Sequence, residues 1–331
     1  MSEPATAAPL RILVSDAARE RLGPAVATLL GSRAHRFVAP GSGVDADLAF
    51  VSRDVTGLST KHAVLPNTQA FYDAMLGAGS LRWVHAHSAG ADRPIYQTLR
   101  ARGVAVSTSS GANAAVVAQS ALAGLLALAR RFPQLMRAQR QCTWAPLIGS
   151  GLPRDLAGQT AVIVGWGPIA QHVAASLRLL GLRLVVVRSS ATPAAADVET
   201  LPFEEIARAL PSADWLLLAC PLSARTRGLI DARALALLPP GAQLVNVARG
   251  ELVDEPALIE ALRSGQLAGA FLDVFAHEPL PPDSPLWQMD SVIATPHSAG
   301  SSDGNAARTA ELFIDNLRRW VAGEPLRNSV T

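Results

Sequence analysis

The sequence predicts an α/β protein of two doubly wound parallel-sheet domains, one Rossmann-like and one flavodoxin-like, with a cleft between them. Three observations predict it. Short apolar runs of strand length alternate with helical stretches along 331 residues, long enough for two ordinary domains. A glycine-rich turn, Gly165-Trp166-Gly167-Pro168-Ile169-Ala170, follows one such run and opens a helix. Near the end of the chain VNVARGELVDE, DVFAHEPL and TPHSAG each adjoin a strand-like run.

In order, residues 1 to about 9 are rich in Ala and Pro and are expected to be unordered. Strands are expected over 10–14, 47–51, 83–85 and 104–106, with helices or loops between them, which makes a small parallel α/β domain. An apolar helix is expected over 113–129, then strands over 160–164, 182–187, 215–219, 243–247, 268–272 and 292–294. Pro168 suits the first turn of a helix, where its missing N–H is not needed, and Gly181 ends that helix. One long helix over 304–323 closes the chain. The expected domains are a first part of the substrate domain over 1–107, a dinucleotide-binding domain over 108–296, and a segment over 297–331 that returns to the first.

A net charge of +2, with 17% charged residues and no polybasic stretch, argues against a nucleic-acid or membrane partner. The tract 114–129 is interrupted by Gln119, Ser120 and Gly124 and reads as a buried helix. Cys142 and Cys220 lack metal-ligand spacing, so no metal is expected and a reducing, cytoplasmic setting is the simple reading. The N-terminus shows no signal-peptide pattern.

The glycine turn points to a dinucleotide. Gly165 permits the tight turn, Gly167 lets the backbone approach a pyrophosphate, and Ala170 allows the helix to pack closely on the strand. The helix N-terminus offers N–H groups and the positive end of its dipole. A turn without a ligand is the bland alternative, and the flanking strand and helix argue against it. The following strand ends in Arg188-Ser189-Ser190 and lacks the acid that would hold the ribose 2′-OH of NAD. A guanidinium and two hydroxyls suit a 2′-phosphate, so NADP(H) is preferred and NAD(H) remains usable.

Arg249, Glu278 and His297 complete the chemistry: a cation for a carboxylate, a carboxylate beside an imidazole, and an acid/base. Singly, an Arg after a strand or a His beside Pro is more often structural. Taken in order, GWGPIA, CPLSARTRGLI, LVNVARGELVDEPAL, AGAFLDVFAHEPLP, SPLW and IATPHSAG resemble the D-isomer-specific 2-hydroxyacid dehydrogenase family, in its glyoxylate/hydroxypyruvate reductase-like branch. The resemblance is strong over about 80–331 and loose before that.

The resemblance implies NADP(H)-dependent reduction of a small 2-oxo acid to the D-2-hydroxy acid. Arg249 would anchor the carboxylate, and His297 would move the proton under the influence of Glu278. It implies that Asp273 holds the nicotinamide carboxamide, and that Ala89, Gly90 and Ala91 offer backbone N–H groups to the substrate. Trp166, Pro168, Ile169, Cys220, Pro221, Thr226 and Ala248 would line the cofactor. A homodimer through the dinucleotide domains is implied by the helix 113–129 and by the Arg/Gln-rich arm after it, with Trp144 near the arm's end.

His62, His85, His87 and His277 keep a structural reading. Gln119 stands where the family often carries Glu, and HSAGADR departs from the commoner loop. The absence of a regulatory extension after Thr331 argues against the long, effector-controlled phosphoglycerate dehydrogenases. The competing reading is a dinucleotide-sensing, corepressor-like binding protein of the same fold. Methyl transfer on a similar sheet would leave Arg249, Glu278 and His297 idle.

Overall fold

A computed structural model describes residues 8–41, 43–149 and 151–330. Most of the Ala/Pro-rich start, residues 1–7, and Thr331 lie outside the described residues. The chain divides into two units, Met1–Asn113 with Ser302–Thr331, and Ala114–Ser301.

The first unit runs β1 (Leu10–Leu13), α1 (Asp16–Leu30), β2 (His35–Val38), β3 (Leu48–Val51), α2 (Arg53–Thr56), α3 (Pro66–Gly77), β4 (Trp83–Ala86), α4 (Pro94–Ala101) and β5 (Ala105–Thr108). Its five strands are parallel in the order β2-β1-β3-β4-β5, the flavodoxin-like winding. Successive side chains on a strand face opposite layers. Ile12 and Phe50 therefore pack in one core with α1 and the C-terminal helix, while Leu13 and Val51 pack in the other with α3 and α4. The N-terminus of α1 is capped by Ser15, whose hydroxyl accepts the Ala18 N–H at 3.1 Å. At the opposite end of the strands, Arg11 bridges Asp45 at 2.7 Å and Asp47 at 3.1 Å.

The second unit begins with α5 (Ala114–Ala129) and α6 (Phe132–Arg140), then β6 (Thr160–Val164), α7 (Pro168–Leu179), β7 (Arg183–Arg188) and β8 (Glu199–Pro202). It continues through α8 (Ile206–Ala209), β9 (Trp215–Leu218), α9 (Ala232–Leu237), β10 (Ala242–Asn246), α10 (Glu255–Arg263), β11 (Leu267–Leu272) and β12 (Val292–Ala294). The seven-stranded parallel sheet is ordered β12-β11-β10-β9-β6-β7-β8, so the winding reverses between β6 and β9. Ligands of doubly wound sheets bind at such a reversal, beyond the carboxyl ends of the strands. Gly124 of α5 lies so close to the sheet that a Cβ there would meet the Phe271 ring at 2.2 Å; the glycine that interrupts the apolar tract is what lets α5 lie on β11.

The last helix, α11 (Asn305–Ala322), belongs to the first unit, where Phe313 stacks on Phe50 at 4.9 Å and on Trp83 at 5.4 Å. The second unit extends to Ser301, so His297 lies in it and not in the segment expected to return to the first domain. The reason is local: the His297 loop is hydrogen-bonded to the end of β11 at Leu272 and to Asp273 and Glu278 just past it. The edge strands β2 and β8, and the extra turn α2, were not expected from the sequence. No single described helix is long and apolar enough to cross a membrane; α5 and α6 pass that test only together and are bent by 70°.

Candidate active site

Gly165 takes φ +102°, a left-handed conformation that favours glycine, and a Cβ there would sit 2.8 Å from the backbone of Ala219 and Cys220. The turn after β6 is thus pressed against the end of β9, and the Gly165 N–H donates to Val187 at 2.7 Å. Space around Gly167 is open, with nothing within 4 Å of its would-be Cβ. Pro168 opens α7, no side chain caps that helix, and Ala170 is fully buried. Trp166 and Ile169 are half-buried beside the turn. An open glycine ahead of an uncapped helix N-terminus fits a dinucleotide pyrophosphate.

Arg188 ends β7 half-buried, followed by exposed Ser189 and half-buried Ser190. Past β9, Cys220 is buried and its thiol is pushed up to about 12 by that burial, so it packs as a small apolar group. Thr226 is also buried. Its hydroxyl donates to the Pro221 carbonyl at 2.8 Å and accepts the Ser223 N–H at 2.8 Å. The side chain ties its own loop shut, and Pro221 is exposed on the loop surface. Arg225, which sequence reading passed over, lies on this loop and donates to the Ser189 carbonyl at 3.2 Å.

Arg249 follows β10 on a turn built by Asn246. The buried Asn246 amide donates to the Arg249 carbonyl at 3.0 Å and accepts the Ala248 N–H at 3.0 Å. The Arg249 guanidinium donates to the Ala248 carbonyl at 2.7 Å, and the residue is half-buried. Gly250 explains the RG pair: a Cβ there would meet the Phe275 carbonyl carbon at 1.8 Å. Only glycine lets the Arg249 turn touch the backbone of the turn that carries Glu278. Asn246 and Gly250 were legible in VNVARGE, yet they read as plain members of a motif.

Glu278 is almost fully buried and uses both oxygens. One accepts the Phe275 N–H at 3.1 Å, and the other meets His297 Nδ1 at 2.8 Å. The carboxylate is thereby fixed by its own turn before it engages the ring. His297 keeps 47% of its side chain accessible, against 12% for Glu278, so the imidazole is held at one nitrogen and open elsewhere. A carboxylate accepting from Nδ1–H sets the tautomer and leaves Nε2 outside that bond.

His297 adopts φ +51°, unusual for a residue with a Cβ. Its N–H donates to the carbonyls of Asp273 at 2.8 Å and Thr295 at 2.9 Å. The Asp273 carboxylate accepts the Thr295 hydroxyl at 2.7 Å and the N–H groups of Ser298 at 2.8 Å and Ala299 at 3.0 Å. Burial nevertheless pushes the Asp273 carboxyl above its ordinary range, the donors offsetting only part of the desolvation. Asp273 is therefore the organiser of the His297 loop, a role the sequence did not reveal.

In the first unit, Ala89-Gly90-Ala91 follow β4 on a partly exposed loop. The Ser88 hydroxyl donates to the Gly90 carbonyl at 2.7 Å, and the Ser88 carbonyl accepts the Ser109 N–H at 3.0 Å. His85 and His87 are buried below that loop, and burial pushes both imidazoles down to about 3. His85 bonds Ser107 and Ser109, and His87 bonds Thr56 at 2.9 Å. Neutral, buried and saturated, both are structural. His62 and His277 are exposed.

The family described as D-isomer specific 2-hydroxyacid dehydrogenase, NAD binding domain, matches residues 122–299. The chain is 34% identical over 254 residues to a glyoxylate reductase of Korarchaeum cryptofilum, covering 75% of each chain. It is 33% identical over 322 residues to a D-3-phosphoglycerate dehydrogenase of Mycobacterium tuberculosis, covering 96% of this chain and 58% of that one. Among solved structures, a D-isomer specific 2-hydroxyacid dehydrogenase from Xanthobacter autotrophicus in complex with NADPH and MES superposes with a TM-score of 0.76 at 30% identity, over 98% of both chains. The chain belongs to the D-isomer specific 2-hydroxyacid dehydrogenase family, whose members are nicotinamide-dinucleotide oxidoreductases. The reductase and the phosphoglycerate dehydrogenase act on different acids and are equally similar to it: identity tracks the family, not the substrate.

Proposed function

We propose that this chain reduces a small 2-oxo acid of the glyoxylate or hydroxypyruvate kind to the D-2-hydroxy acid, with NADPH preferred over NADH. The observation that carries the proposal is the Glu278–His297 pair at 2.8 Å, on a turn whose backbone is in contact with the Arg249 turn through Gly250. An oriented acid/base beside a cationic anchor is what reduction of a carbonyl next to a carboxylate needs.

Bound in the glycine cradle, a reduced nicotinamide dinucleotide supplies the hydride. Arg249 pairs with the substrate carboxylate, its planar fork matching two oxygens. His297 Nε2 gives its proton to the oxygen that becomes the hydroxyl, and the charge left behind is shared with Glu278 through Nδ1. In the reverse direction the same nitrogen takes the proton back. Asp273 holds the loop that aims the ring and is also the candidate partner of the carboxamide. The Ala89–Ala91 loop is the candidate substrate contact in the first unit. A steady-state panel of 2-oxo acids decides the proposal: glyoxylate and hydroxypyruvate should be turned over with NADPH, and no oxidation of NADPH with any of them would overturn it and favour a dinucleotide-sensing role.

The cofactor preference rests on Arg188-Ser189-Ser190 at the end of β7, three residues that themselves supply no carboxylate to accept from a 2′-OH. Arg188→Asp should weaken NADPH binding by about tenfold, the loss of one charge-assisted hydrogen bond, and should improve NADH use relative to NADPH. An unmodified enzyme whose kcat/KM is equal or better with NADH would contradict the preference.

The arm supports a homodimer through the second unit. Trp144 is 94% exposed, Ile148 80% and Leu152 70%, along a stretch whose regular elements, among the described residues, are α6 and one short turn. Large apolar side chains at such exposure suit packing on a second copy. Light scattering at micromolar concentration should give twice the chain mass; one chain mass excludes the dimer.

A further inference from the structure

We infer that Arg225 is a second reader of the cofactor's 2′-phosphate, held in place for that task by Glu204 and by the backbone of the Arg188-Ser189-Ser190 turn. The inference rests on the NADPH reading and adds to it a residue outside that turn.

Two separate segments, the turn after β7 and the turn after β8, converge on the Arg225 guanidinium. Its Nη2 donates to the Ser189 carbonyl at 3.2 Å, just past β7. Nη2 and Nε donate to one oxygen of Glu204, at 2.7 Å and 3.2 Å, just past β8. The guanidinium lies over the Phe203 ring, 5.5 Å from its centroid. Arg225 itself stands on the loop after β9 that Thr226 ties shut. Its cation is therefore fixed at the carboxyl end of β7, the place where doubly wound sheets distinguish a 2′-phosphate from a 2′-OH.

An ion pair alone does not account for this. Arg225 and Glu204 keep 50% and 63% of their side chains accessible, and exposed pairs contribute little to stability. What the contacts do supply is preorganisation. A long, rotamer-rich side chain is pinned at Nε, Nη2 and its flat face, while Nη1 takes part in none of these bonds. A ligand oxygen reaching Nη1 would find the side chain already ordered, so little entropy is lost on binding. Charge points the same way. Hydrogen bonding from Arg225 holds the Glu204 carboxyl below its ordinary range, so Glu204 is an anion at neutral pH. A 2′-phosphate near a bare Glu204 would be repelled; with Arg225 between them it meets two arginines and one balanced carboxylate.

The alternative is that Arg225 merely staples β8 to its neighbours. Isothermal titration with 2′,5′-ADP and with 5′-AMP separates the two, because these ligands differ only in the 2′-phosphate and no turnover is involved. The unmodified protein should bind 2′,5′-ADP more tightly. Arg225→Ala should shrink that preference by about tenfold and leave 5′-AMP affinity within about twofold. Arg225→Gln, which keeps most of the side chain's bulk, should behave the same way should the alanine variant fold poorly. Added salt should narrow the preference of the parent more than that of the variant. If both ligands weaken together, Arg225 is a staple and the inference is wrong. If the parent prefers 2′,5′-ADP and the variant keeps that preference in full, Arg225 is not a reader while the NADPH reading stands. If the parent itself binds the two ligands equally, the NADPH reading fails and takes this inference with it.

Discussion

Replacing His297 by alanine should lower kcat/KM for 2-oxo acid reduction by about 100- to 10,000-fold, the usual worth of a positioned general acid, and leave NADPH binding nearly intact. The ring touches Glu278 at 2.8 Å through Nδ1 and the glycine turn not at all among the described contacts, so its loss removes a proton donor without disturbing the cradle. Glu278→Gln should cost less. The amide has one acceptor oxygen for the two donors, Nδ1–H and the Phe275 N–H, that the carboxylate serves with two, and it carries no charge to favour the protonated ring. Reduction by that variant should fall off at lower pH than in the parent. NADPH fluorescence titration and pH profiles of kcat/KM check both statements. An unmoved alkaline limb in Glu278→Gln would show that the pair orients the ring without tuning it.

The second large effect is expected at Arg249. Arg249→Lys keeps the charge, yet kcat/KM should fall by about 10- to 100-fold with every 2-oxo acid, since one ammonium cannot give two parallel hydrogen bonds to a carboxylate. The Ala248 carbonyl, which accepts from the guanidinium at 2.7 Å, loses a partner as well. Cofactor affinity should stay near that of the parent, because the cradle is built by Gly165, Gly167 and the start of α7. Lysine at full turnover would exclude Arg249 as the anchor.

The parts of this molecule that were legible in sequence are those where one residue type is forced by local physics. Gly165 had to be glycine for its positive φ, Pro168 marked the first turn of α7, and the long runs at β6 and β10 are buried on both faces. The edge strands β2 and β8 escaped because HRFV and ETLP lack an apolar signature; pairing on one side only, they are defined by β1 and β7 more than by their own residues. In the site, Arg249, Glu278 and His297 could be picked out by chemical type. Gly250 and Asp273 act on backbone distant in sequence, and no spacing discloses that; Asn246 acts within its own turn, on Ala248 and Arg249. Thr226 has a local task that the motif did not disclose: its hydroxyl ties its own loop shut. Arg225 could be seen only once Ser189, Phe203 and Glu204 were placed around it.

The left-handed backbone of His297 sets function against durability. At φ +51° a side chain crowds its own peptide group, at a cost of about 1 kcal/mol or more, and the bonds from its N–H to Asp273 and Thr295, with the ring's bond to Glu278, hold it there. Glycine would suit that position better. His297→Gly should melt at a higher temperature than His297→Ala by the equivalent of about 0.5–1 kcal/mol, after allowing for glycine's looser unfolded chain. Equal midpoints in a thermal scan would mean that the loop relaxes freely around either residue. A glycine at 297 would relieve that crowding at the expense of the imidazole, so stability and the proposed proton transfer pull the choice of residue in opposite directions.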